Sequence, residues 1–433
     1  MSFAGIINSI KSRNVLVILN TAVAAAASVV LLLGAARAMD QRALSDFSLV
    51  QLLVVTAVML QRSTLLSPAL ATQRMAGRTV IPLAWAARVS LPAAVVVAGC
   101  LSVAFGSDGG HYIQWFFAGL AAGGAALVQD TVRYGLLSRG LTSVAVLSDA
   151  FWLLLILATL IAPVWFADPL VLTFYWGLTG VASVAIGLIP LVFQISKSAP
   201  PPTRASIRKT WRLGKWSGID AVLSAAATLM PMLFTAFVLG SAEAGTYRVL
   251  QSALGPINIL CTSMITLFGL DSWQLTTAEQ LKLLSKRVTR AVIAMIAFTT
   301  AYVAFAEILM IGLSGISSPE LLRIAVIVGV VGIIGSATSP VSAASLALGY
   351  QRHGAVLRFV IVVFALLASF ASAVDIWLPW NDPIGTVTLF AAAAGLAGWL
   401  FSYKIAMKRE TNALVTGVAE RHWDGIAEEN RLA

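Results

Sequence analysis

Two long blocks of almost unbroken apolar sequence dominate this chain, with one polar stretch between them. Charged residues make up 11% of the 433 residues, whereas a soluble globular domain carries about 25%. Several runs reach the roughly 20 apolar residues that cross a bilayer as a helix. The chain therefore cannot cover itself with polar surface, and we expect an all-α integral membrane protein.

The apolar runs divide into twelve predicted transmembrane spans, six on each side of the polar stretch. An even number of spans in each half gives both halves the same topology, so a 6+6 repeat would be parallel. A pair of six-helix lobes is the predicted architecture. The spans are predicted at 14–36, 47–70, 80–105, 112–136, 142–164, 170–195, 216–240, 246–270, 289–313, 321–349, 355–378 and 384–406.

The polar stretch, Lys197–Lys215, reads KSAPPPTRASIRKTWRLGK and contains six basic residues and no acidic residue. Its three consecutive prolines exclude a regular helix and favour an extended spacer. We interpret it as a basic cytoplasmic linker. The predicted domains are an N-terminal lobe (1–196), this linker (197–215), a C-terminal lobe (216–409) and a cytoplasmic tail (410–433).

The distribution of Lys and Arg predicts the orientation of the spans. Five alternate loops, at 106–111, 163–169, 240–245, 314–320 and 375–383, contain no Lys or Arg. Because cytoplasmic loops are enriched in these residues, both termini are predicted to be cytoplasmic, and the first span is predicted to be a retained helix. The residues assigned to the inner loops are Arg74, Arg78, Arg133, Arg139, the basic residues of the linker, Lys282, Lys286, Arg287, Arg290, Arg352, Lys404, Lys408 and Arg409.

The segment 272–290 is polar enough to leave the membrane core. Leu281, Leu284 and Val288 recur in it at helical spacing, opposite several cations. This pattern predicts a short amphipathic helix lying on the membrane surface.

Two arginines inside predicted spans are the leading candidates for binding substrate. Arg62 and Arg88 each lie about eight residues from the cytoplasmic end of a span, roughly 12 Å deep at 1.5 Å per residue. Charges inside membrane spans are costly and often functional, and a guanidinium can bind phosphate in a bidentate manner. Snorkelling to the headgroups is the alternative explanation.

Other polar residues in the spans are candidates for lining a cavity or coupling to an ion. Asp130 could balance one of these arginines or pair with Arg133 three residues on. Arg248 could contact substrate or form an interfacial pair with Glu243. Glu307 could carry a coupling proton or ion, or serve as a structural partner. The remaining candidates are Asn20, Gln51, Asp220, Gln251 and Asn258.

Two prolines within spans, Pro256 and Pro340, are candidate bending points, and static kinks are the alternative. The two cysteines and three histidines are scattered and form no ligand pattern. We therefore expect no metal site and no cofactor. Because the basic residues fall in short loops that orient helices, nucleic-acid binding is not expected.

The layout of six plus six spans with a basic linker resembles the multidrug/oligosaccharidyl-lipid/polysaccharide (MOP) superfamily, and in particular its polysaccharide (O-antigen-type) flippases. The local likeness lies in AGTYRVLQSALGPINIL (244–260) and EQLKLLSKRVTRAVIAMIAF (279–298). The resemblance implies transfer of an undecaprenyl-pyrophosphate-linked oligosaccharide to the outer leaflet of the bacterial cytoplasmic membrane by alternating access. It also implies other polysaccharide-assembly proteins as partners, and a cationic cavity, for which Arg62, Arg88 and Arg248 are the candidates.

Three other classes of protein remain open. A multidrug or cation antiporter of the same superfamily would favour acidic residues in the lobes, whereas the deep charges singled out here are more often arginine. A major-facilitator transporter shares the six-plus-six layout, but ATQRMAGRTV (71–80) matches its loop motif only in part. A membrane glycosyltransferase or polymerase would need larger outer loops to display catalytic groups, so we expect a non-enzyme.

Overall fold

The computed structural model describes part of the chain in detail, and that part is helical throughout, with no strand in it. The described residues are 13–66, 68, 90–106, 110–194, 211, 214–223, 225–226, 257, 261, 278–314, 319–348, 352, 354–363 and 383–415.

Six long helices are described in the first half, and each overlaps one of the first six predicted spans. A short helix, Ala158–Ile161, and a 3₁₀ turn, Pro163–Phe166, follow the fifth of them. The helices are α1 (Arg13–Ala38), α2 (Gln41–Gln61), α3 (Leu91–Gly106), α4 (Tyr112–Ser138), α5 (Thr142–Ile156) and α6 (Pro169–Gln194).

Local signals explain two of the helix boundaries. The carboxylate of Asp40 accepts a hydrogen bond from the backbone N–H of Ala43 at 2.8 Å and so caps the start of α2. At the end of α4, Gly140 adopts φ 76°, and the N–H of Leu141 donates to the carbonyl of Leu136 at 2.9 Å. This tight turn connects the end of α4 directly to the start of α5.

Four helices are described in the second half: α7 (Ala278–Ser314), α8 (Pro319–Ala347), α9 (Gly354–Val363) and α10 (Pro383–Val415). Helix α7 has 37 residues and is therefore about 55 Å long at 1.5 Å per residue. Pro340 lies inside α8, which continues through it. The role of Pro340 as a bending point stays a prediction, and Pro256 lies outside the described residues.

The chain is a multi-pass membrane protein. Within the described ranges, five helical segments are long and apolar enough to cross a membrane, and two apolar helices are shorter. The count of twelve spans and the cytoplasmic placement of the termini stay predictions. The five segments are Leu19–Ala38, Arg42–Leu66, Thr142–Ile161, Pro169–Leu191 and Leu281–Ala304.

Contacts divide the chain into two compact units. The first unit comprises 1–260 with 369–378, and the second comprises 261–368 with 379–433. The contact boundary at Leu260 thus falls well beyond the predicted linker. The assignment of residues 1–196, 197–215, 216–409 and 410–433 to lobes, linker and tail stays a prediction.

The surface helix predicted at 272–290 is wrong in its extent and in its contacts. The described part of this segment is the start of α7, which runs without a break into the ninth predicted span. Leu281, Leu284 and Val288 are buried against Trp399 and Ala406 of α10, together with residues of α8. The apolar face is therefore covered by protein rather than by lipid.

The helical stretch at 214–223 approaches the end of α2 closely. After Gln61, α2 continues as one π-helical turn, Arg62–Leu66. A Cβ atom built on Gly218 would clash with the Cγ2 methyl of Thr64, and one on Gly214 would clash with the Thr64 carbonyl oxygen. Small residues four apart allow this backbone approach, as in other membrane helix pairs.

We expect Gly218→Ala to destabilise the first unit by about 1–3 kcal/mol through overpacking against Thr64. Thr64→Ser removes the methyl group that the added Cβ atom would strike and keeps the hydroxyl that donates to the Leu60 carbonyl. The double variant should regain stability in thermal unfolding measured in detergent. Gly214→Ala provides the matched control: Thr64→Ser should not rescue it, because its overlap is with a backbone oxygen. Equal rescue of both variants would contradict this account.

Candidate functional site

Two arginines and two aspartates form a buried chain of ion pairs within the first unit. We call Arg62, Asp130, Arg133 and Asp149 the charge cluster. Arg62 begins the π-helical turn after α2, Asp130 and Arg133 lie on α4, and Asp149 lies on α5. Both carboxylate side chains are 2% exposed, whereas the side chains of Arg62 and Arg133 are 23% and 15% exposed.

Arg133 joins the two carboxylates. Its Nε and one terminal nitrogen donate to the two oxygens of Asp149 at 3.0 and 2.9 Å, and its other terminal nitrogen donates to Asp130 at 3.1 Å. The planar guanidinium fits a carboxylate in this bidentate manner. These two hydrogen bonds from one rigid guanidinium group join α4 to α5.

Asp149 accepts two further hydrogen bonds from buried amides. Nδ2 of Asn20 on α1 donates at 2.6 Å, and Nε2 of Gln129 on α4 donates at 2.9 Å. With the two bonds from Arg133, this carboxylate accepts hydrogen bonds from four donor groups, which replace the water that it lacks at 1% exposure of the residue. Because every donor lies on another helix, Asp149 is the point at which α1, α4 and α5 meet.

Asp130 receives the other arginine. Nε and a terminal nitrogen of Arg62 donate to its two oxygens at 3.2 and 2.5 Å. The Arg62 guanidinium carbon also lies 5.7 Å from the centre of the Tyr134 ring, within cation–π range. The positive charge at the end of α2 is thus neutralised by α4.

Uncharged polar groups beside the charge cluster reach α6 and α3. Gln129 also donates to Oγ of Ser183 on α6 at 3.1 Å. The Ser148 and Ser183 hydroxyls each donate to the other's backbone carbonyl, at 2.8 and 3.0 Å. Gln61 donates to the Thr131 hydroxyl at 2.7 Å, and that hydroxyl lies 3.1 Å from Ser90 Oγ, at the start of α3. Helices α1, α2, α4, α5 and α6 therefore contribute to one hydrogen-bonded network around the charge cluster, and Gln61, Thr131 and Ser90 form a second group, next in sequence to Arg62 and Asp130, that joins α2, α4 and the start of α3.

The cluster lies near one end of the helices. Asn20 is two turns from the start of α1, and Asp149 is two turns from the start of α5. Arg133 is between one and two turns from the end of α4. On the predicted topology this end is cytoplasmic.

The arrangement holds four charges in fixed positions. Two cations and two anions balance each other, so the cluster is neutral when all four groups are ionised. Among the described residues, no group of three or more His, Cys, Asp or Glu side chains could hold a metal ion. Since Arg62 is the most exposed member, it is the member of the cluster best placed to meet a ligand.

The structure places several predicted site residues in this network. Asp130 makes both of the pairings that were open to it, with Arg62 and with Arg133. Asn20 is buried and bonded to Asp149. Gln51 is also buried, and it donates to the Ser28 carbonyl at 3.2 Å. Both side-chain amides therefore form hydrogen bonds between helices of the first unit.

The remaining predicted site residues are placed only in part. Asp220 is buried in the stretch 214–223, at 7% exposure. Glu307 lies on α7, and its side chain is outside what the structure describes. Their roles stay predictions. The residues outside the described ranges are Arg88, Arg248, Gln251 and Asn258.

Sequence reasoning assigned Arg133 to an inner loop and overlooked Asp149. Helix α4 continues to Ser138, and two buried carboxylates compensate Arg133 for the loss of water. Asp149 lies in TSVAVLSDAFWLLLI, where a lone acid within a predicted span was a visible signal. The same rule that singled out Arg62 could have found it.

Solved structures with the same fold are transporters of the MOP superfamily. A MOP superfamily transporter from Pyrococcus furiosus Vc1 (DSM3638), whose binding pocket is described as having reverse polarity that suggests a different function, is 12% identical at TM-score 0.67. The match covers 93% of this chain and 95% of that one. At this identity the likeness concerns the fold.

Two further structures give the same result. A MATE protein solved in complex with MaD3S is 11% identical at TM-score 0.66, and an outward-facing multidrug resistance MATE family transporter is 13% identical at TM-score 0.64. Both matches cover 93% of this chain and 95% of the other. Neither a family model nor a curated protein matches the sequence. The chain has the fold of MATE-type MOP superfamily transporters.

Proposed function

We propose that this chain is a membrane transporter that moves its cargo by alternating access. One observation carries this proposal: the fold match to solved MOP transporters extends over 93% of the chain. In transporters built from repeated helix bundles, alternating access is largely a rigid-body movement of one bundle against the other around the binding site. The same match supports transport over a membrane glycosyltransferase or polymerase, and over the major-facilitator alternative.

For the cargo, we propose an undecaprenyl-pyrophosphate-linked oligosaccharide that moves from the inner to the outer leaflet of a bacterial cytoplasmic membrane. The resemblance of 244–260 and 279–298 to polysaccharide flippases supports it. So does the partly exposed guanidinium of Arg62, which could turn from Asp130 toward a phosphate. Arg88 and Arg248 would share this role, and other polysaccharide-assembly proteins would deliver and receive the cargo.

A multidrug or cation antiporter is a second candidate, and a specific observation favours it. Arg62 is already paired with Asp130, so its charge does not by itself make the first unit attractive to an anion. Two buried aspartates stand beside Arg62 and Arg133, so the charge cluster offers no excess of positive charge to an anionic cargo. The solved transporters of the same fold include multidrug MATE proteins.

Analysis of lipids from cells depleted of this protein would separate the two cargo classes. For the flippase, a finished undecaprenyl-linked repeat unit should accumulate on the cytoplasmic face while surface polysaccharide is lost. For the antiporter, no such lipid should accumulate, and tolerance of small cationic compounds should fall. Accumulation of an unfinished unit would instead indicate a transferase and contradict the transporter proposal.

Replacing Arg62 with alanine tests its contact with cargo. We expect export to fall by about 10- to 100-fold, because charge-assisted hydrogen bonds contribute roughly 1.5–3 kcal/mol. The variant should also lose some stability, because buried Asp130 keeps only its bond to Arg133. Export would be measured as surface polysaccharide per folded protein in the membrane. Arg37→Ala, at an exposed arginine near the end of α1, is the matched control. Unchanged export in Arg62→Ala would remove Arg62 from the cargo site.

A further inference from the structure

Exposed cations gather at one end of the second unit, where α7 begins and α10 ends. Buried contacts between Leu281 and Leu284 of α7 and Trp399 and Ala406 of α10 bring these two helix ends together. Within 278–290 and 399–415 there are seven basic residues against two acidic residues. The six cations that we call the basic end are all exposed: Lys282, Lys286, Arg290, Lys404, Lys408 and Arg409.

The exposed surface changes from apolar to cationic at corresponding places on the two helices. On α7, Ile293, 62% exposed, is one turn from Arg290. On α10, Phe401, 67% exposed, is one turn from Lys404. Large exposed apolar side chains of a membrane protein face the hydrocarbon of the bilayer. The first cations of both helices therefore stand where hydrocarbon gives way to lipid headgroups.

The remaining cations continue beyond that boundary. From Arg290 to Lys282 the helix rises about 12 Å, whereas the headgroup layer of one leaflet is roughly 5–7 Å thick. The cations thus occupy the full depth of the headgroups and the water just outside them. Because Leu281, Leu284 and Val288 anchor the helix from its other face, its cations are held in place rather than carried on a loose loop.

We propose that the basic end is a binding surface for anionic phospholipid headgroups. Juxtamembrane clusters of four to eight Lys and Arg attract acidic lipids electrostatically. Lys and Arg provide several donors each for phosphate oxygens, and two helices that each carry a turn or more of exposed cations can hold more than one headgroup. The proposal concerns lipid at the protein's perimeter and is independent of which cargo is transported.

The test uses the full-length protein in bilayers containing equal amounts of phosphatidylglycerol and phosphatidylcholine. After gentle extraction, mass spectrometry measures the ratio of the two lipids that remain bound. We expect phosphatidylglycerol to be enriched several-fold. The enrichment should disappear at about 1 M salt, where the Debye length falls to about 3 Å. Equal retention of both lipids at low salt would overturn the proposal, and so would enrichment that ignores salt.

Paired variants localise the effect. Each cation near an anionic surface contributes about 1 kcal/mol, which is roughly fivefold in binding. Because two cations together exceed the expected several-fold enrichment, Lys282→Gln/Lys286→Gln should bring the enrichment close to one, and Lys404→Gln/Lys408→Gln should do the same on α10. Arg37→Gln/Arg42→Gln, at exposed positions in the first unit, keeps the same net charge as either pair and should leave the enrichment unchanged.

Two outcomes would contradict the assignment. An equal loss in the Arg37→Gln/Arg42→Gln control would indicate attraction by net charge alone. Binding of a polyglutamate peptide to the purified protein, with unchanged lipid ratios, would indicate a soluble acidic partner at this surface. Thermal unfolding of each variant verifies that the substitutions, all at exposed positions, leave the protein folded.

Discussion

Asp149→Ala should lower the free energy of unfolding of the first unit by about 3–5 kcal/mol, because it leaves a buried cation without its main partner. Arg133 would lose both bonds of its bidentate pair and keep only the bond to Asp130. The amides of Asn20 and Gln129 would each lose an acceptor at the same time. Thermal unfolding in detergent, followed by tryptophan fluorescence, would measure the loss.

A control and a rescue make this prediction specific. Asp168→Ala removes an exposed aspartate whose carboxylate caps the N–H of Leu170, and it should cost about 1 kcal/mol. Adding Arg133→Gln to Asp149→Ala removes the stranded charge, so the double variant should be more stable than the sum of the two single losses implies. Strict additivity would show that the two residues are not coupled and would reject the charge cluster as a unit.

Leu284→Ala should destabilise the second unit by about 2–5 kcal/mol, the range for a leucine removed from a packed core. Leu284 is 3% exposed and packs in the cluster that α7 forms with α8 and α10. Its neighbour Leu283 is 49% exposed, so Leu283→Ala provides a control with the same chemistry at the next position. Thermal unfolding of both variants in detergent is the measurement.

The surface-helix interpretation gives the opposite expectation. On a membrane surface, Leu284 would lie in the lipid interface, and its loss would weaken membrane contact without affecting the packing of α8 and α10. Equal stability of the Leu284→Ala and Leu283→Ala variants would therefore contradict the buried packing described here.

The apolar runs predicted the helices of the described ranges, because a span must satisfy its backbone groups internally and so must be helical. They could not show what covers an amphipathic face. Leu281, Leu284 and Val288 have the spacing of a helix that meets an apolar environment, and lipid and protein both provide one. Only the tertiary packing of α7 against α10 distinguishes the two.

Two of the four charged members of the candidate site were predicted from the sequence, and most of its connections were not. A charge inside a span is visible in the sequence, and this criterion identified Arg62 and Asp130. The partners of Asp149 include Asn20, 129 positions away, and no spacing rule reaches that far. The inner-loop assignment of Arg133 failed because counting basic residues cannot distinguish a loop cation from one held by two buried carboxylates.

The balance of charge in the cluster has an electrical consequence. Moving one elementary charge through a membrane potential of 100 mV involves about 2.3 kcal/mol of work. Two arginines and two aspartates that move together as a neutral group do essentially no such work. The four charges can therefore shift with their helices in a conformational change without making that change sensitive to voltage. A variant that neutralises one aspartate gives the group a positive charge, and the same movement then responds to the membrane field.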